Sequence, residues 1–361
     1  MTAPASRIEV GGAGGYQVVV GSGLLGELAP LLPGVEQVAL LHPPSVAVLA
    51  EAVVIALAEA GIRGHRIELP DGERAKTLAV AGQCFDRLAE LGFTRSDAVL
   101  GLGGGATTDL AGWVAASWLR GVRLVQLPTT LAGMVDAAIG GKTGINLAAG
   151  KNLVGAFYPP AGVLCDLDAL ASLPAPDYRA GLAEVVKSGF IADPAILDLI
   201  EADPGAALVA GNPAERELIE RTVAVKAAVV SADLTEQGLR EILNYGHTLG
   251  HAIEHAEQYR WRHGDAVSIG LVFAAELSRL SGRLDQATAD RHAALLGSLG
   301  LPVSYPGQVG FDELLAAMRL DKKARGARLR FVLLDGLARP VTVSDPDPAL
   351  LAAAYAKVAN R

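Results

Sequence analysis

Residues 98–119 read AVLGLGGGATTDLAGWVAASWL. A short apolar run at 98–102 enters the triplet Gly103, Gly104, Gly105, passes Ala106, Thr107, Thr108 and Asp109, and continues as a helical pattern to residue 119. A strand that feeds a helix through a glycine turn is half of a βαβ unit. Glycine lets a ligand approach the backbone, and the first N–H groups of the following helix face outward with the positive end of its dipole, a combination that suits a pyrophosphate. The match to G-x-G-x-x-G is incomplete, because Thr108 occupies the third glycine position, and an ordinary tight turn would have the same composition.

Outward from this turn the same rhythm repeats. Apolar runs at 37–41 and 65–69 alternate with alanine-rich helical stretches at 46–60 and 75–91, and another strand-like run follows at 122–127. That alternation predicts an α/β domain with a mainly parallel sheet, whose ligand crevice lies beyond the carboxyl ends of the strands. Ahead of it, runs at 8–10 and 17–20 flank GGAGG and predict a hairpin. After Asp177 the period changes. Apolar residues recur at three and four spacing over 178–191, 213–231, 237–256 and 265–282, which predicts a mainly α-helical second domain. The break Ser172, Leu173, Pro174, Ala175, Pro176 sets the expected boundary, giving domains of 1–175 and 176–361.

The chain has 361 residues, 51% of them hydrophobic and 19% charged, with a mean hydropathy of +0.33. Such a composition excludes extensive disorder and supports a sizeable core. The longest uncharged stretch, 10–26, contains seven glycines, and nothing approaches the roughly 20 apolar residues that span a bilayer. A net charge of −8 argues against broad attraction to nucleic acid or anionic lipid. The N-terminus MTAPASRIEV lacks the basic-then-apolar pattern of a secretory signal, and Cys84 and Cys165 lie far apart without CxxC spacing. A soluble protein of the reducing cytoplasm is expected, with both thiols acting as small core hydrophobes.

Further candidates follow the glycine turn. Pro128, Thr129 and Thr130 close the next strand, Asp136 ends an uncharged stretch, and Lys142 and Lys151 sit in what read as glycine-rich loops. Lysine is a compact partner for phosphate or carboxylate, although solvated loop lysines would look alike. Gly141, Lys142, Thr143 is not a P-loop, since its first glycine would fall at Asp136. Four of the seven histidines fall within 247–263. His247, His251 and His255, spaced by four, share a helix face, as an imidazole metal site requires, while His255 beside Glu254 and Glu257 also reads as surface. Glu184 and Lys187 stand on adjacent turns of an apolar helix, where an exposed i, i+3 ion pair is the plain alternative.

Taken together, DGERAK at 71–76, GGGATTD at 103–109, PTT at 128–130, MVDAAIGGKTGIN at 134–146, GKNLVGAFYPP at 150–160, GLAEVVKSG at 181–189, LREILNYGHTLGHAIEH at 239–255 and RHGDAVSIG at 262–270 resemble the 3-dehydroquinate synthase family of sugar phosphate cyclases over nearly the whole chain. The resemblance implies an N-terminal α/β domain that holds NAD and a helical domain that holds Zn²⁺ or Co²⁺, with the substrate in the cleft between them. It implies metal ligation by Glu184, His247 and His263, and it makes His251 a proton-handling group instead of a ligand. NAD would lie against Asp71, Gly72, Glu73 and Lys76, the turn Gly104, Gly105, Ala106, Thr107, Thr108 and Asp109, then Thr129, Thr130, Lys142, Lys151 and Ser172. Asp136, Lys142, Asn152, Lys187, Lys226, Arg240, Asn244 and Lys322 would surround the substrate. Thr108 and Ser172 depart from the family pattern, each keeping a small or hydroxyl side chain.

The activity implied by the resemblance converts 3-deoxy-D-arabino-heptulosonate 7-phosphate to 3-dehydroquinate and phosphate, in the shikimate route to aromatic amino acids. A ring hydroxyl is oxidised by NAD beside the metal, phosphate is eliminated, the hydride returns, and an intramolecular aldol step closes the carbocycle with no net redox change. The cationic residues suit a substrate bearing both carboxylate and phosphate. A homodimer is implied as well. Other sugar phosphate cyclases, metal-dependent polyol dehydrogenases and non-enzymatic NAD sensors are the competing classes. The polyol enzymes have no need of so many cations, and sensors have no need of a metal triad.

Overall fold

The protein is described by a computed structural model covering residues 4–12, 14–148, 150–307, 309–323 and 329–359, the side chains of 320–323 excepted. It divides into two units: the chain through Leu173 together with Lys226–Thr235, and Pro174–Val225 together with Glu236 onward.

In the first unit, β1 (Ser6–Val10) and β2 (Tyr16–Gly21) form the antiparallel hairpin anticipated around GGAGG. Next come α1 (Leu28–Leu31), β3 (Gln37–His42), α2 (Ala47–Glu59), β4 (Arg63–Glu68), α3 (Leu78–Glu90), β5 (Ala98–Gly103), α4 (Gly105–Ser117) and β6 (Arg123–Pro128). The chain then forms β7 (Lys142–Leu147), β8 (Gly150–Phe157) and β9 (Gly162–Asp166). One seven-stranded sheet runs β1-β2-β9-β6-β5-β3-β4 and is parallel from β2 onward.

Alternation along the strands divides the core in two. Val38 and Leu40 of β3 pack with Val53 and Leu57 of α2, whereas Ala39 and Leu41 pack with Cys84 and Leu88 of α3 and Val114 of α4. Burial on both faces explains why the parallel strands read as continuous apolar runs. Cys84 and Cys165 are buried and unpaired, and burial pushes the Cys84 thiol up to about 12.

The second unit is mainly helical. It contains α5 (Ala175–Ile191), α6 (Ala195–Ala202), α7 (Pro204–Ala207), the first part of α8 (Glu215–Ala232), α9 (His247–Ala256), α10 (His263–Leu280), α11 (Gln286–Ser298), α12 (Phe311–Lys323) and α13 (Pro348–Val358). Among the described residues no helix is long and apolar enough to cross a membrane.

Two local expectations are corrected, and one feature is added. Residues 237–256 are not one helix: a 3₁₀ stretch, Leu239–Asn244, ends at Tyr245, and Gly246, at φ 79°, turns the chain before α9 begins. Lys142 and Lys151 stand on the paired strands β7 and β8, not in loops. The helical half also carries an antiparallel pair, β10 (Arg330–Leu334) and β11 (Pro340–Ser344). The strands β7, β8, β10 and β11 were settled by pairing partners that local periodicity does not reveal.

Candidate functional site

Each unit gathers its own set of polar side chains. In the first, β5 delivers the glycine turn to the start of α4, which begins at Gly105, five residues earlier than the helical pattern suggested. Thr107 and Thr108 donate their backbone N–H groups to the Gly104 carbonyl at 3.0 and 3.1 Å, so the N–H groups of Gly105 and Ala106 precede the first helical bonds. Gly103 has to be glycine, since a Cβ there would sit 2.6 Å from Thr107 Oγ1. The Thr129 N–H donates to the Gly103 carbonyl at 2.9 Å, and Thr130 Oγ1 accepts from the Gly133 N–H at 3.0 Å, which fixes Thr129 and Thr130 beside the turn.

Facing the same end of the sheet, residues 71–76 form a 3₁₀ turn, Gly72–Ala75, after Asp71. Asp71 accepts from Ser45 Oγ at 2.8 Å. Lys76 is 2% exposed and donates to Asp109 Oδ2 at 2.6 Å and to Asn152 Oδ1 at 2.5 Å. Asn152 is held at φ 55°, its N–H donating to Asn146 Oδ1 at 2.9 Å, while Asn146 Nδ2 donates to Glu73 Oε2 at 2.6 Å. Lys151 Nζ lies 3.7 Å from Glu73 Oε1. A left-handed asparagine costs roughly 1–3 kcal/mol, and these bonds hold it in place. Asp71, Glu73, Lys76, Asp109, Lys151 and Asn152 are thus brought into one region with the glycine turn, and Asn146, which sequence reading passed over, links them.

Asp136 lies in a π-helical turn, Gly133–Ala137, a rare conformation that frequently marks functional positions. Its carboxylate and carbonyl oxygens accept from Lys226 Nζ. Lys142 opens β7 with an exposed side chain. Ser172 is exposed and donates locally to the Ala169 carbonyl at 3.1 Å. The Lys322 side chain lies outside the described residues.

In the second unit three helices meet. Glu184 on α5 is 2% exposed, and its Oε1 lies 3.3 Å from His247 Nε2 and 3.1 Å from His263 Nε2. Donor atoms of these three residues lie within 4.8 Å of one another. The packing that permits this is backbone to backbone. A Cβ on Gly264 would sit 1.8 Å from the Ala180 carbonyl oxygen, and one on Gly270 would sit 1.9 Å from that of Gly246. Bare backbone at both points lets α10 lie tightly on α5 and on the entry to α9, and the ligating side chains follow.

The ring nitrogens have defined jobs. His247 Nδ1 donates to the Tyr245 carbonyl at 3.1 Å, leaving Nε2 to face Glu184. Burial, with Lys187 adding to it against the pull of Glu184, lowers His247 to about 4, so its ring is neutral at physiological pH. Burial also opposes a charge on His263, yet hydrogen bonds to Glu184 and Glu254 outweigh it and raise His263 to about 10. Glu184 itself is held ionised: burial works against its charge, but Lys187 and the two histidines prevail. A buried carboxylate oxygen facing two imidazole nitrogens is a donor set that fits Zn²⁺ or Co²⁺ with positions left for other oxygens.

Lys187 pairs with Glu184 while nearly buried, which overturns the alternative of an exposed ion pair. Glu254, to which the sequence gave no role, is 3% exposed, and its Oε2 lies 3.1 Å from His263 Nδ1. His251 stands beside both candidate ligands, its ring centroid 5.2 Å from that of His247 and 6.0 Å from that of His263, whereas His255 is exposed. Arg240 is 1% exposed, and Asn244 Nδ2 donates to Glu236 Oε1 at 2.8 Å.

Comparison with known proteins gives a consistent result. A family model described as 3-dehydroquinate synthase N-terminal matches residues 66–180, and one described as 3-dehydroquinate synthase C-terminal matches residues 181–324. A 3-dehydroquinate synthase of Streptomyces avermitilis is 60% identical over 362 residues, covering 99% of each chain. Among solved structures, 2-epi-5-epi-valiolone synthase of Streptomyces hygroscopicus with NAD⁺ and Zn²⁺ bound aligns with a TM-score of 0.88 at 29% identity, over 95% of this chain and 96% of that one. A 2-deoxy-scyllo-inosose synthase complexed with carbaglucose-6-phosphate, NAD⁺ and Co²⁺ aligns with a TM-score of 0.88 at 26% identity, over 98% and 99%.

Proposed function

The chain belongs to the 3-dehydroquinate synthase family, and from that premise we infer that it converts 3-deoxy-D-arabino-heptulosonate 7-phosphate to 3-dehydroquinate and phosphate, as a phosphate-eliminating lyase of the shikimate route. The observation that carries this is the convergence of Glu184, His247 and His263 in a chain 60% identical to such an enzyme along its length.

The first unit is the NAD-binding domain. Gly104, Gly105, Ala106, Thr107 and Thr108 offer backbone and hydroxyl donors to the pyrophosphate, supported by Thr129, Thr130 and Lys151, while Asp71, Gly72, Glu73, Lys76 and Asp109 line the nucleotide. When bound, NAD⁺ would supply a reversible hydride acceptor for the substrate carbon that bears the oxidised hydroxyl. Ser172 spends its hydroxyl on a local turn, so it offers the cofactor its backbone and small size only.

The second unit is the metal-binding domain, with Glu184, His247 and His263 as ligands. When bound, Zn²⁺ or Co²⁺ supplies Lewis acidity to the substrate oxygens. Lys187 balances Glu184, so the site does not present a surplus of negative charge to an anionic substrate. Lys142, Lys226, Arg240 and Lys322 hold the carboxylate and phosphate, and Asn152 and Asn244 orient hydroxyls. Asp136 fixes the Lys226 ammonium. His251, beside the ligands, moves protons to and from substrate oxygens.

Exposed Leu147, Leu153 and Phe157 on β7 and β8 support a homodimer, which light scattering tests. Two buried, unpaired cysteines support a cytoplasmic location. The activity is tested by following phosphate release from the heptulosonate phosphate with and without NAD and a chelator. Release that needs NAD and is abolished by the chelator, with no accumulation of NADH, is expected. Accumulation of NADH would instead mark a dehydrogenase.

A further inference from the structure

His292 is a fully buried histidine that none of the roles above uses. It lies on α11, with its ring stacked on Phe190 of α5 at 3.4 Å between centroids and 12° between planes. Its Nδ1 lies 2.8 Å from the Thr288 carbonyl oxygen, and its Nε2 lies 2.9 Å from the Tyr245 hydroxyl. A carbonyl oxygen only accepts, so Nδ1 carries the proton. Nε2 is therefore a lone-pair acceptor, and the Tyr245 hydroxyl donates to it. Burial agrees, lowering His292 to about 3, with Arg291 adding to the effect and the Thr288 carbonyl opposing it.

Tyr245 is 0% exposed and stands at the joint between the 3₁₀ stretch and the left-handed Gly246. The backbone there makes one last 3₁₀ bond, from the Tyr245 N–H to the Ile242 carbonyl at 3.2 Å, and then leaves the helix, carrying the carbonyl that receives Nδ1–H of His247. A tyrosine fixed at both ends, hydroxyl on His292 and carbonyl on His247, sets where that carbonyl points. We propose that Tyr245 and His292 form a buried strut that positions His247 and presents its Nε2 to the metal. The strut ties α11 to the ligand on α9, and its far end rests on Phe190, six residues beyond Glu184 on the helix that supplies the carboxylate. Both are positioning residues. Neither touches substrate.

The inference rests on His247 being a ligand, so the test separates the two. Full-length protein is depleted of metal, and Zn²⁺ alone is titrated in competition with a chromophoric chelator. His247→Ala should lose stoichiometric binding; retention would overturn the ligand assignment. Tyr245→Phe removes one oxygen and keeps the ring, so it should fold, and its Zn²⁺ affinity should fall about threefold to tenfold, less than for a partner bonded directly to a ligand. His292→Gln, which keeps an acceptor for the hydroxyl, should retain more affinity than His292→Leu. Tyr245→Phe combined with His292→Leu should bind no more weakly than the worse single variant, because both break one bond. A Tyr245→Phe protein with lowered melting temperature but unchanged Zn²⁺ affinity would overturn the strut and leave the pair as core packing.

Discussion

Nδ1 of His263 lies 3.1 Å from Oε2 of Glu254, on the opposite side of the ring from the nitrogen that faces Glu184. A metal-ligating histidine is oriented by what its other nitrogen meets, and a buried carboxylate both fixes the tautomer and strengthens the ligand. Glu254→Gln keeps the shape and removes the charge. Its Zn²⁺ affinity should fall about 10-fold to 100-fold, measured by chelator competition on metal-depleted protein. Unchanged affinity would show that Glu254 only balances charge.

The same two carboxylates make metal binding a proton exchange. His263 is raised to about 10 by Glu184 and Glu254 against its burial, so metal-free protein carries a proton there at neutral pH. His247, lowered to about 4 chiefly by burial, carries none. Glu184 is already ionised. Binding should therefore release about one proton, and affinity should rise with pH by roughly tenfold per unit until the His263 proton is lost without help. Calorimetry in buffers of different ionisation enthalpy counts the protons. A count near zero would place the metal elsewhere.

How much of this was legible from sequence depended on distance along the chain. The strand-to-helix rhythm of 37–127 is local, and it gave the parallel sheet. The histidine cluster was also visible, and the reading of His255 as surface agrees with its exposure, whereas nothing local marked Glu254 as the partner of His263. Glu184 and Lys187 carried no such local signal, since a buried and an exposed i, i+3 pair are written identically. Only the family resemblance brought Glu184 to the histidines. Tyr245 with His292, and Asn146 with Glu73, are contacts of high sequence separation that no period encodes.

Lys76 is buried between Asp109 and Asn152 at the end of the sheet where the glycine turn lies. Lys76→Met should raise the NAD dissociation constant more than about tenfold and also destabilise the fold by about 1–3 kcal/mol, because Asp109 is left without its cation. Adding Asp109→Asn removes the orphaned charge and should restore the melting temperature without restoring NAD affinity. Recovery of both would mean that Lys76 serves Asp109 alone and makes no contact with the nucleotide.

Gly270 tests whether tight helix packing creates the ligand set. The Cβ of an alanine there would meet the Gly246 carbonyl oxygen at 1.9 Å, with backbone on both sides and no flexible side chain to yield. α10 must then move off the turn that introduces His247, while Gly264 still holds its other contact with α5. Gly270→Ala should cost about 1–3 kcal/mol as an overpacked core does, and the tilt should separate His247 from Glu184 more than it separates His263. Zn²⁺ affinity should therefore fall even at temperatures where the variant is fully folded by circular dichroism. A stable variant with full affinity would show that α9 can shift along with α10, and that the ligands are fixed by their own hydrogen bonds instead of by the backbone contact.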